Sequence, residues 1–555
     1  MPRSRPPAAP PASRSLWPPR RVLVSVASLL AATALVRAGL LEALVGSIVD
    51  QAVRNIITLI LCFAALVSLL LWFLRESGHA AWMKRALGYG LLAAVLLAVA
   101  TLRVERVSGD LVPELRPRWL PSRDRLLPAE TAGREAAGSW EPTPGDFPRF
   151  LGPTGSAAVD GTALDPDWEA RPPRLLWRKP IGAGWGGFAV CGDHAVTLEQ
   201  RGDEEVVSCR SVATGEPAWA VPVRARHETV LGGVGPRSTP TIRDGIVYTT
   251  GATGWLHAIE GASGQVRWKK NIVADLGIDA AAHAAAVTWG RAGSPLVTAS
   301  LVIVPGGGPL LKAGPDGRPA VSLVAYDRET GERRWTAGGE QISYITPESA
   351  TVAGREVVLA VNESRVVGYD PADGRELWGF EWPGHSNSDA SCSQARVLPD
   401  GRIFISKGYG IGAAVFAAPP VVGDGRPVFA AGWAQPGMLK TKFTNVAMHE
   451  GHAYGLSDGI LECVRLEDGD RRWKKGRYGQ GQVLRVGDLL VVQAESGEVV
   501  LVGCSPEKHV ERARLAALDG QTWNNPAVAG DKLLVRNAEE AACYELPLAR
   551  SEPAE

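Results

Sequence analysis

Two short patterns in this chain contain the residue types of a reactive site. His449-Glu450-Gly451-His452 sets two imidazoles around a carboxylate, the side chains of a metal-assisted hydrolase. That chemistry needs His-Glu-x-x-His on a helix, so that both rings share one face. Here the spacing is one residue short and Glu-Gly marks a turn, so the stretch reads as a hairpin with exposed histidines. Gly306-Gly-Gly308 has the freedom of a phosphate cradle, but no Lys-Ser/Thr follows it, and it reads as a long inter-strand loop. No Gly-x-Ser-x-Gly elbow opens a helix, and no Cys-x-x-Cys-His offers a haem attachment. The seven cysteines form no close-spaced framework; Cys191 and Cys209 are the nearest pair, and a disulfide between them stays open. Catalytic residues: none is assigned.

What dominates instead is a repeated turn. Thr330-Gly331-Glu-Arg-Arg-Trp335 recurs as Thr214-Gly215-Glu-Pro-Ala-Trp219, Ser263-Gly264-Gln-Val-Arg-Trp268, Asp373-Gly374-Arg-Glu-Leu-Trp378 and Asp468-Gly469-Asp-Arg-Arg-Trp473. Gly supplies the positive φ of a β-hairpin turn, and the preceding Thr, Ser or Asp bonds its own backbone. The Trp then falls on one face of the next strand and wedges between sheets. Trp177, Trp219, Trp268, Trp335, Trp378, Trp433 and Trp473 stand 42, 49, 67, 43, 55 and 40 residues apart. A period near 40–50 with four short strands per unit is that of a propeller blade, and the long intervals hold insertions at 280–287, 305–319 and 417–427. Units end near Trp219, Trp268, Trp335, Trp378, Trp433 and Trp473. A seventh, 483–515, has lost its Trp, and an eighth, 523–546, has three strands. Leu175-Leu-Trp177-Arg-Lys179 supplies the missing fourth and closes the ring, which removes the open edges. The expected fold is an all-β eight-bladed propeller over 147–546, with a tail at 547–555. Cys209, Cys463 and Cys543 fall at one repeat position and read as small buried sites rather than reactive thiols.

In a propeller the first strand of each blade is innermost, so residues just ahead of it border the central funnel. The polar set there comprises Arg237-Ser238-Thr239, Arg291, Tyr344, Asn387-Ser388-Asp389, Lys442, Asn445, Gln480, Gln482 and Trp523-Asn524-Asn525, joined by Glu199 and Arg201. Such a ring can hold a small anion, a sugar or a peptide; equally, it can bond strand ends and line a water-filled channel.

Residues 1–20 are rich in Pro and Arg and read as a disordered cytoplasmic tail. Apolar stretches at about 22–41, 56–74 and 86–102 are the expected transmembrane helices. Arg3, Arg5, Arg14, Arg20 and Arg21 precede the first, and Arg75, Lys84 and Arg85 lie between the second and third. The positive-inside bias puts those ends in the cytoplasm and the propeller outside the cytoplasmic membrane, in the periplasm. Residues 104–146 are Pro-rich and read as an extended linker. The formal net charge is +0, which gives no support to nucleic-acid binding.

The Gly-x-x-x-Trp units resemble the pyrroloquinoline-quinone (PQQ) type of propeller repeat, whose superfamily holds quinoprotein dehydrogenases and the assembly factor BamB. Phe147-Pro-Arg-Phe-Leu-Gly-Pro153, Gly182-x-Gly-Trp185 and 199–209 further resemble membrane-anchored PQQ-like proteins of planctomycete-type bacteria. The resemblance implies, for an enzyme, an adjacent cysteine pair over the quinone and a calcium held by Glu, Asn and Asp. No two cysteines are adjacent here, and Asp389 and Glu348 are the obvious acids near the funnel. The expected function is therefore a membrane-tethered, non-enzymatic scaffold that binds a protein partner or a ligand and needs no cofactor. The alternative is a PQQ- and Ca²⁺-dependent dehydrogenase of an alcohol or sugar.

Overall fold

Gly215, Gly264, Gly331, Gly374 and Gly469 take φ of +69°, +71°, +71°, +75° and +78°, so each repeat turn is built on a left-handed glycine. The absence of a side chain matters for a second reason. A Cβ on Gly264 would lie 2.7 Å from the ring of Trp219, and one on Gly331 would lie 2.7 Å from that of Trp268. Trp177, Trp335 and Trp433 pack in the same way on Gly215, Gly374 and Gly469, so most blade Trp residues rest on the turn glycine of the following blade. Indole N–H groups also donate to carbonyls of the following blade, Trp219 to Gly261 (2.6 Å), Trp268 to Arg328 (2.9 Å), Trp433 to Leu466 (2.9 Å) and Trp473 to Ser505 (2.8 Å), whereas that of Trp335 has no partner among the described residues. One motif therefore makes both the turn and the joint between blades.

The computed structural model describes residues 15–40, 50–128, 138–309, 320–417 and 431–550. The fold is an eight-bladed β-propeller, with blades at 189–224, 241–271, 296–337, 348–381, 396–435, 446–477 and 482–516. The eighth joins 527–545 to Arg174–Pro180, with Cys543 opposite Trp177. Closure by the early strand is as expected. Cys209 and Cys463 likewise face Trp219 and Trp473 across their strands, where a small side chain leaves room for the indole. Cys191 and Cys209 are both buried free thiols, so the disulfide left open by the sequence is not formed. His449 and His452 flank a hairpin turn through Glu450 and Gly451, as their spacing predicts.

The chain divides into two units, residues 1–120 and 121–555. In the first, α1 (Arg20–Arg37) packs along α2 (Gln51–Arg75), and α3 (Ala81–Thr101) follows. Among the described residues α2 and α3 are long and apolar enough to cross a membrane. Helix α1 carries three arginines in 18 residues, and residue 41 of the first expected stretch lies outside the described residues. So do residues 1–14 of the tail, 310–319 and 418–427 of the insertions, and 551–555 of the C-terminal tail.

The stretch 104–146 is not one extended linker. Leu102–Val107 pairs with Pro113–Pro117 in an antiparallel hairpin. Residues 121–128 lie on the propeller, where Asp124 is 4% exposed and accepts from Arg226 at 2.6 Å. Trp140 is buried and stacks on His194 with centroids 4.4 Å apart. These segments have charged or aromatic partners in the unit they join, and composition alone does not reveal them; residues 129–137 lie outside the described residues.

Candidate functional site

Every innermost strand is reached by a loop on the same face of the ring, and the polar residues of these loops bond one another. The Gly187 N–H donates to Thr239 Oγ1 (3.0 Å), that of Thr239 to Ser294 Oγ (3.0 Å), and that of Ser294 to Thr346 Oγ1 (2.9 Å). The Thr346 N–H donates to Gln394 Oε1 (3.2 Å) and that of Gln394 to Asn445 Oδ1 (3.0 Å). Gln482 Nε2 then bridges the carbonyls of Phe443 (3.0 Å) and Trp523 (2.9 Å). Asn524 Nδ2 returns to blade 1 at the Gly184 (3.1 Å) and Gly186 (2.7 Å) carbonyls. This belt passes through all eight blades and satisfies backbone groups that the sheets leave unpaired at the axis.

The expected funnel residues divide accordingly. Asn445, Gln482 and Asn524 belong to the belt, and Ser238 Oγ donates to the Thr250 carbonyl. Arg237 is half-buried; it donates to the carbonyls of Gly235 (2.6 Å) and Gly232, and no carboxylate pairs with it among the described residues. Burial holds its pKa down at about 10. Tyr344 donates to Ser386 O (2.6 Å) and packs 5.5 Å from Trp289. Trp523 lies 4.8 Å from both Trp185 and Phe443. Arg291 is fully buried, with its guanidinium on the Gly306 (2.6 Å) and Pro305 carbonyls. The Gly306 carbonyl therefore accepts from a buried structural cation, and Gly306 is not part of a phosphate cradle. Lys442 is buried against Gly408. Gln480 is 0% exposed, and its amide has no partner among the described residues.

Asp389 is engaged on both oxygens. Ser388 donates to Oδ1 at 3.0 Å, His385 Nδ1 lies 3.0 Å from the same atom, and Lys407 Nζ lies 3.3 Å from Oδ2. The Lys407 side chain is wholly buried, and desolvation lowers its pKa against the pull of Asp389. Lys407, Ser294, Thr346 and Gln394 are not singled out by the sequence. The belt positions become legible when the repeats are aligned on the innermost strand instead of on the Trp.

Glu199 and Arg201 do not border the axis. They lie in the second strand of blade 1, where Glu199 is 0% exposed and accepts from the Gly182 N–H. Arg201 (3.3 Å) and Arg210 (3.7 Å) flank it, and Arg536 adds its field from blade 8. Burial works to raise the Glu199 pKa, and the three guanidinium groups outweigh it and hold the group ionised. This cluster is structural.

At the other end the axis is stoppered. The turns that follow the innermost strands mark that end, and residues 145–160 lie there. The Gly530 N–H donates to Gly145 O (2.8 Å), that of Gly192 to Asp146 Oδ1 (2.9 Å) and that of Gly487 to Val159 O (3.1 Å). Between them the chain bridges Val190 through Phe147, accepts from the Ile242 N–H at Pro148 O (2.7 Å), and runs parallel to Arg485–Val486 at Ala158–Val159. Arg149 Nη2 lies 3.9 Å from Glu348, which is gripped by Arg396 at 2.6 Å; Arg396 also donates to Gly155 O. Phe147, Leu151, Ala157 and Val159 are buried. Among the described residues, 145–160 thus cover the end of the axis opposite the approach loops.

Residues 202–475 match the family described as outer membrane protein assembly factor BamB, which carries the PQQ-type repeat. Over those residues, just under half of the chain, the sequence is similar to the PQQ-like β-propeller family. No curated protein matches the sequence. Among solved structures, a europium-containing methanol dehydrogenase is 12% identical, with 73% of this chain and 98% of that one covered and a TM-score of 0.54. The quinohemoprotein alcohol dehydrogenase from Comamonas testosteroni is 12% identical, with 74% and 82% covered and a TM-score of 0.53. BamB from Moraxella catarrhalis is 13% identical, with 67% and 100% covered and a TM-score of 0.47. At these identities the likeness concerns the fold.

The side chains of this PQQ-like funnel do not fit a quinone gripped by a cysteine pair and calcium. Cys392 is the cysteine of the approach loops, with serines on either side, and burial pushes its thiol up to about 12. Glu348 and Asp389 are each tied to buried cations. Among the described residues no three His, Cys, Asp or Glu side chains converge as metal ligands.

Proposed function

We propose that this protein is a membrane-tethered, extracytoplasmic scaffold whose open funnel face holds a protein partner or a ligand without chemistry. The belt carries this reading: the polar groups that a bound cofactor would need are already bonded from blade to blade, which makes the ring rigid and leaves its loops for recognition. Arg237, which has no acid partner among the described residues, gives the mouth a preference for an anionic group. Tethering rests on α2 and α3, and the orientation on charge. Arg21 meets Glu76 at 2.7 Å and Lys84 donates to Ser77 O (2.5 Å), so the basic ends of α1, α2 and α3 gather on one side, the cytoplasmic one in this reading.

The test is titration of the detergent-solubilised full chain with PQQ and Ca²⁺, followed by an artificial-acceptor oxidation assay on alcohols and sugars. Neither binding nor turnover is the expected result, and cross-linking at the funnel mouth then captures the partner. Tight binding with turnover would overturn the scaffold reading in favour of a quinoprotein dehydrogenase.

A further inference from the structure

The hairpin that follows α3 has two unlike faces. Val104 pairs with Leu115 and Leu102 with Pro117 on one of them. On the other, Glu105 accepts from Arg103 (2.9 Å) and Arg116 (3.3 Å), and Arg106 bonds Glu114 (2.6 Å). The charged face is satisfied internally. Beyond the buried Val107 the apolar face is bare: Val104 is 40% and Leu115 56% exposed, with Val112 in the turn at 56% and Trp119 past the second strand at 68%. A two-stranded hairpin is marginal in water unless its apolar side rests on something.

Two contacts fix where it rests. Arg118 Nε caps the end of α3 at the Val99 (3.0 Å) and Leu102 (2.8 Å) carbonyls, and Asn55 Nδ2, near the start of α2, donates to Asp110 O (2.9 Å) in the hairpin turn. The hairpin therefore lies across the ends of both apolar helices, with no residue between α3 and its first strand. At that level a bilayer presents its headgroup–acyl boundary, which accepts aliphatic side chains and Trp while arginines stay in water.

We propose that residues 102–120 form an interfacial foot, with Val104, Val112, Leu115 and Trp119 seated in the lipid boundary of the outer leaflet. The proposal rests on the membrane tethering argued above. It makes the membrane surface a partner of this segment beyond its role as an anchor for the helices.

The test places an environment-sensitive fluorescent amino acid at Leu115, or at Val112 should the first variant misfold, in the full chain reconstituted in vesicles. Leu96, an exposed residue of α3, serves as the deep control and Glu114 as the charged-face control. Spin-labelled lipids quench from near the headgroup or from near the chain end. Expected is quenching at 115 or 112 that is about twofold or more stronger from the shallow label than from the deep one, as for a segment buried some 5–10 Å. The reverse preference is expected at 96, with little quenching at 114. Quenching at 96 with none at 115 or 112 would overturn the foot and leave the tether standing. No quenching at any position would overturn both.

Discussion

Trp177 stands to Val212 as Trp219 stands to Gly261: each indole N–H donates to a turn carbonyl of the following blade, at 2.7 and 2.6 Å. The joint that closes the ring is therefore made like the others, although its two strands come from opposite ends of the domain. Trp177→Ala and Trp219→Ala should cost similar amounts, about 3–5 kcal/mol each for a buried Trp. Chemical denaturation of the solubilised chain measures this. A Trp177 variant that unfolded as easily as a surface mutant would show that closure does not depend on this contact.

The turn glycines serve two demands at once, and Gly264→Ala separates them from ordinary hairpin glycines. A residue with a Cβ at φ +71° is strained by about 1–2 kcal/mol. Its methyl would also meet Trp219 at 2.7 Å, adding roughly 1–3 kcal/mol of overpacking. Gly451→Ala, at φ +73° with nothing near its Cβ, should show the strain alone. Melting of the two variants side by side checks the difference.

Glu348 holds the stopper. Its partner Arg396 is 8% exposed, so Glu348→Ala leaves a buried cation unpaired and should cost about 3–5 kcal/mol. Hydrogen exchange should rise first in residues 149–157. A uniform rise across the propeller would show that the segment is not separately latched.

Glu205 should make stability depend on pH. It is 2% exposed, and burial raises its pKa from 4.5 to about 7, opposed only by the Ala252 N–H. A raised acid holds its proton longer in the fold than in the unfolded chain. Its contribution is complete below pH 4.5 and is lost as pH rises to 7, by about 3 kcal/mol. Glu205→Gln should match the wild type near pH 4.5 and exceed it by up to that amount at pH 8. Denaturation curves across this range decide it, and a gap that does not widen with pH would refute the assignment.

The blade count, the closing strand and the role of the cysteines were legible because each is written in a periodic signal: a turn glycine, a Trp and a small residue opposite it. The site was less legible. Asn445, Gln482 and Asn524 were found at the mouth of their blades, but their use as inter-blade ties depends on backbone donors such as the Gln394 N–H, which leave no mark on residue type. Glu199 and Arg201 misled because a charged pair near a blade's start looks alike whether it faces water or is enclosed by Arg210 and Arg536. The Pro-rich stretch misled for the converse reason. Asp124 and Trp140 are anchored by partners 102 residues or 54 residues away in sequence.

The stopper sets an order of assembly. Residues 147–160 and the closing strand Arg174–Pro180 precede every blade, yet two of their partners, Arg485–Val486 and Glu540–Glu545, follow only after six and seven blades. Contacts so distant along the chain form slowly and only after the intervening segment has collapsed. Until the eighth blade arrives, the closing strand has no place to dock and the ring has no seam, while the stopper meets blades 1 and 2 early but lacks its parallel partner until the seventh blade forms. A chain cut short anywhere before residue 527 would thus keep an unpaired closing strand ahead of its first blade, where a protease or chaperone can meet it.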